Sequence, residues 1–175
     1  PTVTGGQTVL LDSGANTDCK PQYLQQFALM GAAYAEKVLR IERPRVGLLN
    51  NGAEAEKGNE LTKAAYALLR NTPVNFVGNC EARDALSGEF DVIVADGFDG
   101  NVLLKSIEGT AAMMMQTLKT GLYASARTKI GALLAKPAFR ALKKKLDYTE
   151  AGGAPLLGVR GGVIKAHGSS NAKAF

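Results

Sequence analysis

Asp91-Val92-Ile93-Val94-Ala95-Asp96-Gly97 is the stretch on which the reading of the fold turns. Its β-branched apolar run has strand length, opens after Gly88 and closes on Asp96-Gly97, so it reads as a buried strand. A helical pattern over residues 101–123 follows directly. Upstream the same alternation recurs. Thr8-Val9-Leu10-Leu11 is a strand ending at Asp12-Ser13-Gly14, and Leu24, Phe27, Ala28, Gly31, Tyr34, Ala35 and Val38 then line one helical face that stops before Pro44. Arg45-Val46-Gly47-Leu48-Leu49 is the next strand. A polar glycine loop over residues 50–59 leads to a helix carrying Leu61, Ala65 and Leu68. Val74-Asn75-Phe76-Val77 is a third strand, and a short helix is predicted over residues 81–86. Strands alternating with helices predict an α/β fold, a mostly parallel sheet with flanking helices. After a basic region broken by Gly131 and Pro137, a glycine-rich stretch leads to a last strand, Val163-Ile164-Lys165-Ala166.

The 175 residues suffice for one domain with a real core, so residues 1–175 read as a single α/β portion. With 46% hydrophobic and 21% charged residues, disorder is a poor description. No apolar run approaches the roughly 20 residues that cross a bilayer, and Pro1-Thr2-Val3-Thr4 has no signal-peptide pattern, which predicts a cytoplasmic location. Cys19 and Cys80 have neither metal nor redox spacing and are expected as reduced thiols; with His167 as the one histidine, zinc chemistry is not expected.

The formal net charge of +5 is unevenly spread. Residues 119–145 hold eight of the 21 basic residues (Lys119, Arg127, Lys129, Lys136, Arg140, Lys143, Lys144 and Lys145) and no acidic one; the 13 left face 16 acidic groups, a net of −3. Leu122, Ala126, Ile130, Leu133, Leu134, Phe139, Leu142 and Leu146 are interleaved with these cations. The segment 119–147 therefore reads as an amphipathic helical protrusion suited either to an anionic membrane surface or to packing against a second copy. Sparse aromatics and the absence of a recognised motif argue against nucleic acid.

Each strand ends in a small or polar cluster: residues 12–16, Asn50-Asn51-Gly52, Gly78-Asn79, Asp96-Gly97, and His167-Gly168-Ser169-Ser170-Asn171. Carboxyl ends of parallel strands share one edge, where ligands bind, and glycine turns ahead of helix N-termini suit an oxyanion. Lys57 and Lys105 lie close in sequence to two of these turns. In Gly52-Ala53-Glu54-Ala55-Glu56-Lys57-Gly58 the lysine precedes the second glycine, so it is no Walker A loop. No dinucleotide-type G-x-G-x-x-G follows a strand, and ATP and NAD lose ground.

Taken together, Leu11-Asp12-Ser13-Gly14-Ala15-Asn16-Thr17-Asp18, Lys57-Gly58-Asn59-Glu60-Leu61, Asp96-Gly97-Phe98-Asp99-Gly100-Asn101-Val102, Gly152-Gly153-Ala154-Pro155 and His167-Gly168-Ser169-Ser170-Asn171 resemble the acyl-ACP:phosphate acyltransferase (PlsX) family of bacterial fatty acid and phospholipid synthesis. The resemblance covers nearly the whole chain but only the C-terminal part of a family member. The family's N-terminal glycine-rich motifs and its helix after the His-Gly-Ser-Ser segment are not in it, which implies that half of the sheet and some phosphate ligands come from elsewhere. It implies a fold similar to phosphate acetyltransferases and isopropylmalate dehydrogenases. It further implies transfer of an acyl group from acyl carrier protein to inorganic phosphate, without a cofactor, by a homodimer at the membrane surface that supplies a membrane glycerol-3-phosphate acyltransferase. By the same resemblance Lys57 and Asn101 are the catalytic candidates. Asp12, Asn16, Asp96, Lys105, His167, Ser169 and Ser170 are candidates for binding substrate, with helix capping the alternative for Asp12, Asn16 and Asp96 and a structural role the alternative for His167. An acetyltransferase-like enzyme using acyl-CoA and a noncatalytic membrane-binding fragment are the rival readings.

Overall fold

The computed structural model describes residues 1–146 and 153–165. The chain divides into two compact units, residues 1–107 and 108–175. In the first, four strands, β1 (Val9–Leu11), β2 (Arg45–Asn50), β3 (Asn75–Glu81) and β4 (Val92–Val94), form a parallel sheet in the order β1-β4-β2-β3. The Val-Ile-Val run thus lies inside the sheet, paired on both sides, and its alternating side chains serve both faces. Val92 and Val94 join Val46 and Leu48 against α1 (Pro21–Lys37) and α2 (Glu60–Leu69), where Leu24, Phe27, Ala28, Ala65 and Leu69 are buried. On the opposite face Ile93 and Cys80 pack with Leu103 of α3 (Gly97–Leu122).

The expected α/β fold with a mostly parallel sheet is what the chain adopts; three boundaries differ. Gly78-Asn79 does not end a strand, since β3 runs on to Glu81, paired with Asn50. The register slips between Val46↔Phe76 and Gly47↔Gly78, leaving Val77 as the extra residue of a bulge, after which pairing resumes. The short helix over 81–86 is a single 3-10 turn, Ala82–Asp84. α3 starts at Gly97, four residues earlier than the pattern from Asn101 implied.

In the second unit the basic region forms two helices, α4 (Ala126–Leu134) and α5 (Lys136–Leu146). A reciprocal capping box between Ser125 and Thr128 starts α4. The last strand pairs with residues of the glycine-rich stretch instead of the parallel sheet: β5 (Ala154–Pro155) and β6 (Ile164–Lys165) make an antiparallel two-stranded ribbon. The cluster His167-Gly168-Ser169-Ser170-Asn171 lies outside the described residues.

Candidate functional site

The loops after β1, β2 and β4 meet at one edge, because every strand pair in the sheet is parallel. After β1 the buried Asp12 carboxylate accepts the N–H groups of Gly14 (3.1 Å), Ala15 (3.1 Å) and Asn16 (2.7 Å) and the Asn16 side-chain amide (2.9 Å). Burial pushes this carboxyl up, but the donors from Ala15, Asn16 and Gly14 outweigh it and hold it below the usual carboxylate range. The glycine turn expected to offer its N–H groups to a bound oxyanion has therefore committed three of them to its own aspartate.

Asp96 caps α3, its Oδ1 accepting the Asp99 N–H at 2.8 Å. The first turn of α3 lies directly on the β1 loop: the Gly97 N–H donates to the Asn16 carbonyl at 2.7 Å. A Cβ on Gly97 would stand 2.6 Å from that same oxygen, and one on Gly100 would strike the Asp12 carbonyl. The glycines of Asp96-Gly97-Phe98-Asp99-Gly100-Asn101 permit this backbone approach. Asn101 is exposed and borders the loop, its Cγ lying 3.8 Å from where a Cβ on Gly14 would sit. The Gly100 N–H already donates to the Asp96 carbonyl, so the helical ladder has begun before Asn101 and the side-chain amide is the group it can offer a ligand.

After β2, Lys57 is exposed at the end of a tight turn. Its N–H donates to the Glu54 carbonyl (3.2 Å), its own carbonyl accepts from the Asn50 side chain (3.1 Å), and its stem passes over Gly52, where a Cβ would come within 2.7 Å of Lys57 Cγ. Asn59 then caps α2, accepting the Thr62 N–H at 2.9 Å.

Between this loop and α3 lies a cavity of about 500 Å³, lined by Asn50, Asn51, Asn59, Thr62, Asp99 and Ser106 over an apolar floor that includes Leu49 and Leu103. Residues 99, 103 and 106 share one helical face; Asn101 and Lys105 project from the other side of α3. The cavity is thus lined by neither Lys57 nor Asn101. Asp99 is the one ionisable residue on its described wall, and burial and the neighbouring Asp96 push its carboxyl up. This wall alone suits neutral amide or hydroxyl groups better than a phosphate. Asn50 belongs to the Asn50-Asn51-Gly52 cluster expected at this edge, whereas Thr62 and Ser106 escaped the reading of the chain. The Asn59-x-x-Thr62 capping spacing and the three-to-four-residue rhythm after Asp96 are the signals that mark those two.

Both cysteines are free thiols. Burial, together with Asp84, Glu89 and Glu81, pushes Cys80 up to about 12, and burial raises Cys19 as well, so neither is poised as a nucleophile. His167, Ser169 and Ser170 lie outside the described residues.

In the second unit an apolar groove of about 540 Å³ runs between the later turns of α3, α4 and α5, lined by Met115, Leu122, Leu133 and Phe139, with Lys119, Lys129 and Lys136 along it. Ile130, Leu133 and Leu134 are 64%, 68% and 78% exposed, an unusually open apolar surface beside so many cations.

The sequence profile of the family described as "Fatty acid synthesis protein" matches residues 1–175. A protein of Anoxybacillus flavithermus named phosphate acyltransferase is 58% identical over 175 residues, all of this chain and 53% of its own length. One of the same name from Clostridium acetobutylicum is 58% identical over 167 residues, 95% of this chain and 50% of its own. A third, from Bacillus cereus, is 57% identical over 171 residues, 98% of this chain and 52% of its own. The chain spans about half the length of these relatives. Matched from its first residue to its last, it belongs to the fatty acid synthesis protein family.

Proposed function

We propose that this chain is part of a phosphate acyltransferase that converts a fatty acyl thioester of acyl carrier protein and inorganic phosphate into acyl phosphate and the free thiol. The observation that carries this reading is the match over the full chain to relatives named phosphate acyltransferase. The shared edge of the parallel sheet, where the Lys57 turn is held by Asn50 and Asn79 and the Asp12 loop is joined to the first turn of α3 by the Gly97–Asn16 hydrogen bond, supports it. In the reaction a phosphate oxygen attacks the thioester carbon. The C–S bond breaks as the tetrahedral intermediate collapses, and the sulfur leaves as thiolate and takes up a proton. No enzyme nucleophile is required, which agrees with thiols held well above neutrality. What the site contributes is position and charge: Lys57 orients the phosphate, and the Asn101 amide donates to the oxygen on which negative charge develops. Lys105, on the Asn101 side of α3, adds positive potential, and His167, Ser169 and Ser170 are assigned to phosphate binding.

The basic, apolar-faced α4 and α5 are assigned to an anionic membrane surface and to a second copy of the chain, in a homodimer that works at the cytoplasmic side. The same cations attract the acidic acyl carrier protein. A membrane acyltransferase acting on glycerol 3-phosphate would consume the acyl phosphate.

The test is acyl-phosphate formation by the full-length protein. Lys57→Ala and Asn101→Ala are each expected to slow turnover a hundredfold or more, about 3 kcal/mol of barrier for one lost donor. Near-normal rates in both would remove the assignment. Faster reaction with acyl-CoA than with the carrier-protein thioester would favour an acetyltransferase-like donor.

A further inference from the structure

We infer that Asn79 is a positioning residue that fixes the turn carrying Lys57, an inference that rests on the role given to Lys57 above. Asn79 stands in β3 opposite Leu48 of β2, two residues before the Lys57 loop begins, and its side chain is buried in the first unit. Its Nδ2 donates to the Glu54 carbonyl at 2.6 Å, and that carbonyl also accepts the Lys57 N–H at 3.2 Å. At the other end of the turn the Asn50 Nδ2 donates to the Lys57 carbonyl at 3.1 Å, while Asn50 Oδ1 takes the Asn51 N–H at 2.9 Å. Two amides, one from each of two adjacent strands, thus clasp the turn at residues 54 and 57. Gly58 closes it with φ of +102°, a position where a Cβ would strike Thr62 Oγ1 and stand 2.6 Å from Asn50 Oδ1. With its backbone held at both ends and its stem lying over Gly52, Lys57 has little freedom in where it leaves the loop.

The second end of the Asn79 amide sharpens the inference. Among the described residues Asn79 Oδ1 is buried and has no hydrogen-bond partner. A buried acceptor without a donor lowers stability, whereas an apolar side chain of similar shape would not. The amide is therefore a poor choice for packing alone, and the contribution it makes is the N–H to Glu54. A strained or disfavoured group beside a ligand-bearing loop is where function and stability are expected to conflict.

The experiment uses the full-length protein, a fatty acyl thioester of acyl carrier protein and inorganic phosphate, with rates taken per folded molecule. Asn79→Asp keeps the shape and removes the donor, and Asn79→Ala removes the whole amide. Each is made alone and together with Lys57→Ala. The expected result is a kcat lowered about tenfold by either Asn79 substitution, with KM for the acyl donor changed less than about twofold, because the loss is one of orientation. In the Lys57→Ala background the same substitutions are expected to add nothing, since residues acting as a unit are not additive. Wild-type rates in the single Asn79 variants, or a full further loss on top of Lys57→Ala, would overturn the inference while leaving Lys57 in place. A normal rate for Lys57→Ala alone would overturn the reading of the site on which it rests.

Discussion

Asp12 commits its carboxylate to four donors within its own loop, which makes it a stabilising acceptor there. Replacing it by Ala leaves the N–H groups of Gly14, Ala15 and Asn16 without their acceptor, and a loss of about 2 kcal/mol or more is expected in urea unfolding at neutral pH. The pH dependence has a definite sign. The folded carboxyl lies below its ordinary value, so its contribution is complete above the unfolded pKa of about 4 and disappears as pH falls through the lower, folded one. The stability gap between wild type and Asp12→Ala should therefore be widest at pH 7 and narrow below about pH 4; a gap independent of pH would contradict the assignment. Residue types at the sheet edge were legible in the sequence, and Asp12, Asn16 and Asp96 were read with two possible uses. The structure shows Asp12 accepting backbone N–H groups of its own loop and Asp96 accepting the Asp99 N–H, with the Asn16 side-chain amide donating to Asp12. A carboxylate four residues from a donor can cap, coordinate or point to solvent, and the turn geometry that chooses among these is not a property of composition.

α3 shows the same limit one level up. In the sequence Asp96-Gly97 closes the strand and the helical pattern is expected from Asn101, whereas the helix begins at Gly97 and includes Gly100, although glycine costs about 1 kcal/mol in a helix interior. That cost is accepted where the helix backbone must touch the Asp12 and Asn16 carbonyls. Gly100→Ala is accordingly expected to destabilise by about 1–3 kcal/mol through overpacking. On the same helix Gly109, with nothing within 4 Å of a Cβ among the described residues, should gain about 0.5–1 kcal/mol on change to Ala. Thermal unfolding of the two variants checks both signs, and equal effects would refute the close-approach argument. Gly78-Asn79 misled for a related reason: the dipeptide is a turn signal locally, but pairing of Asn79, Cys80 and Glu81 with Leu48, Leu49 and Asn50 carries the strand past it. The Val-Ile-Val core strand, the apolar faces of the helices before and after β2, and the mostly parallel character of the sheet were readable, since burial on both faces leaves little choice of residue; the strand order and the packing of α1 and α2 on Val92 and Val94 were not.

For the chain as a whole, the open apolar surface of α4 and its cations make a measurable surface property. Leu133→Glu combined with Leu134→Glu in the full-length protein is expected to weaken sedimentation with anionic vesicles about tenfold or more, since two side chains now exposed by more than half lose their apolar contribution. Raising salt should weaken wild-type binding in the same assay, and no change from either would reject a membrane role for this face. Family, fold class and the uneven charge are set by the sequence itself, because periodicity, apolar content and motif order are local and additive along the chain. The tertiary structure decided what stands beside what: the pairing of the last strand with the glycine-rich stretch, the placing of Asn101 across α3 from the cavity, and the grip of Asn79 on the turn of Lys57. These depend on contacts between residues far apart in the chain, and such contacts follow from packing the whole core at once.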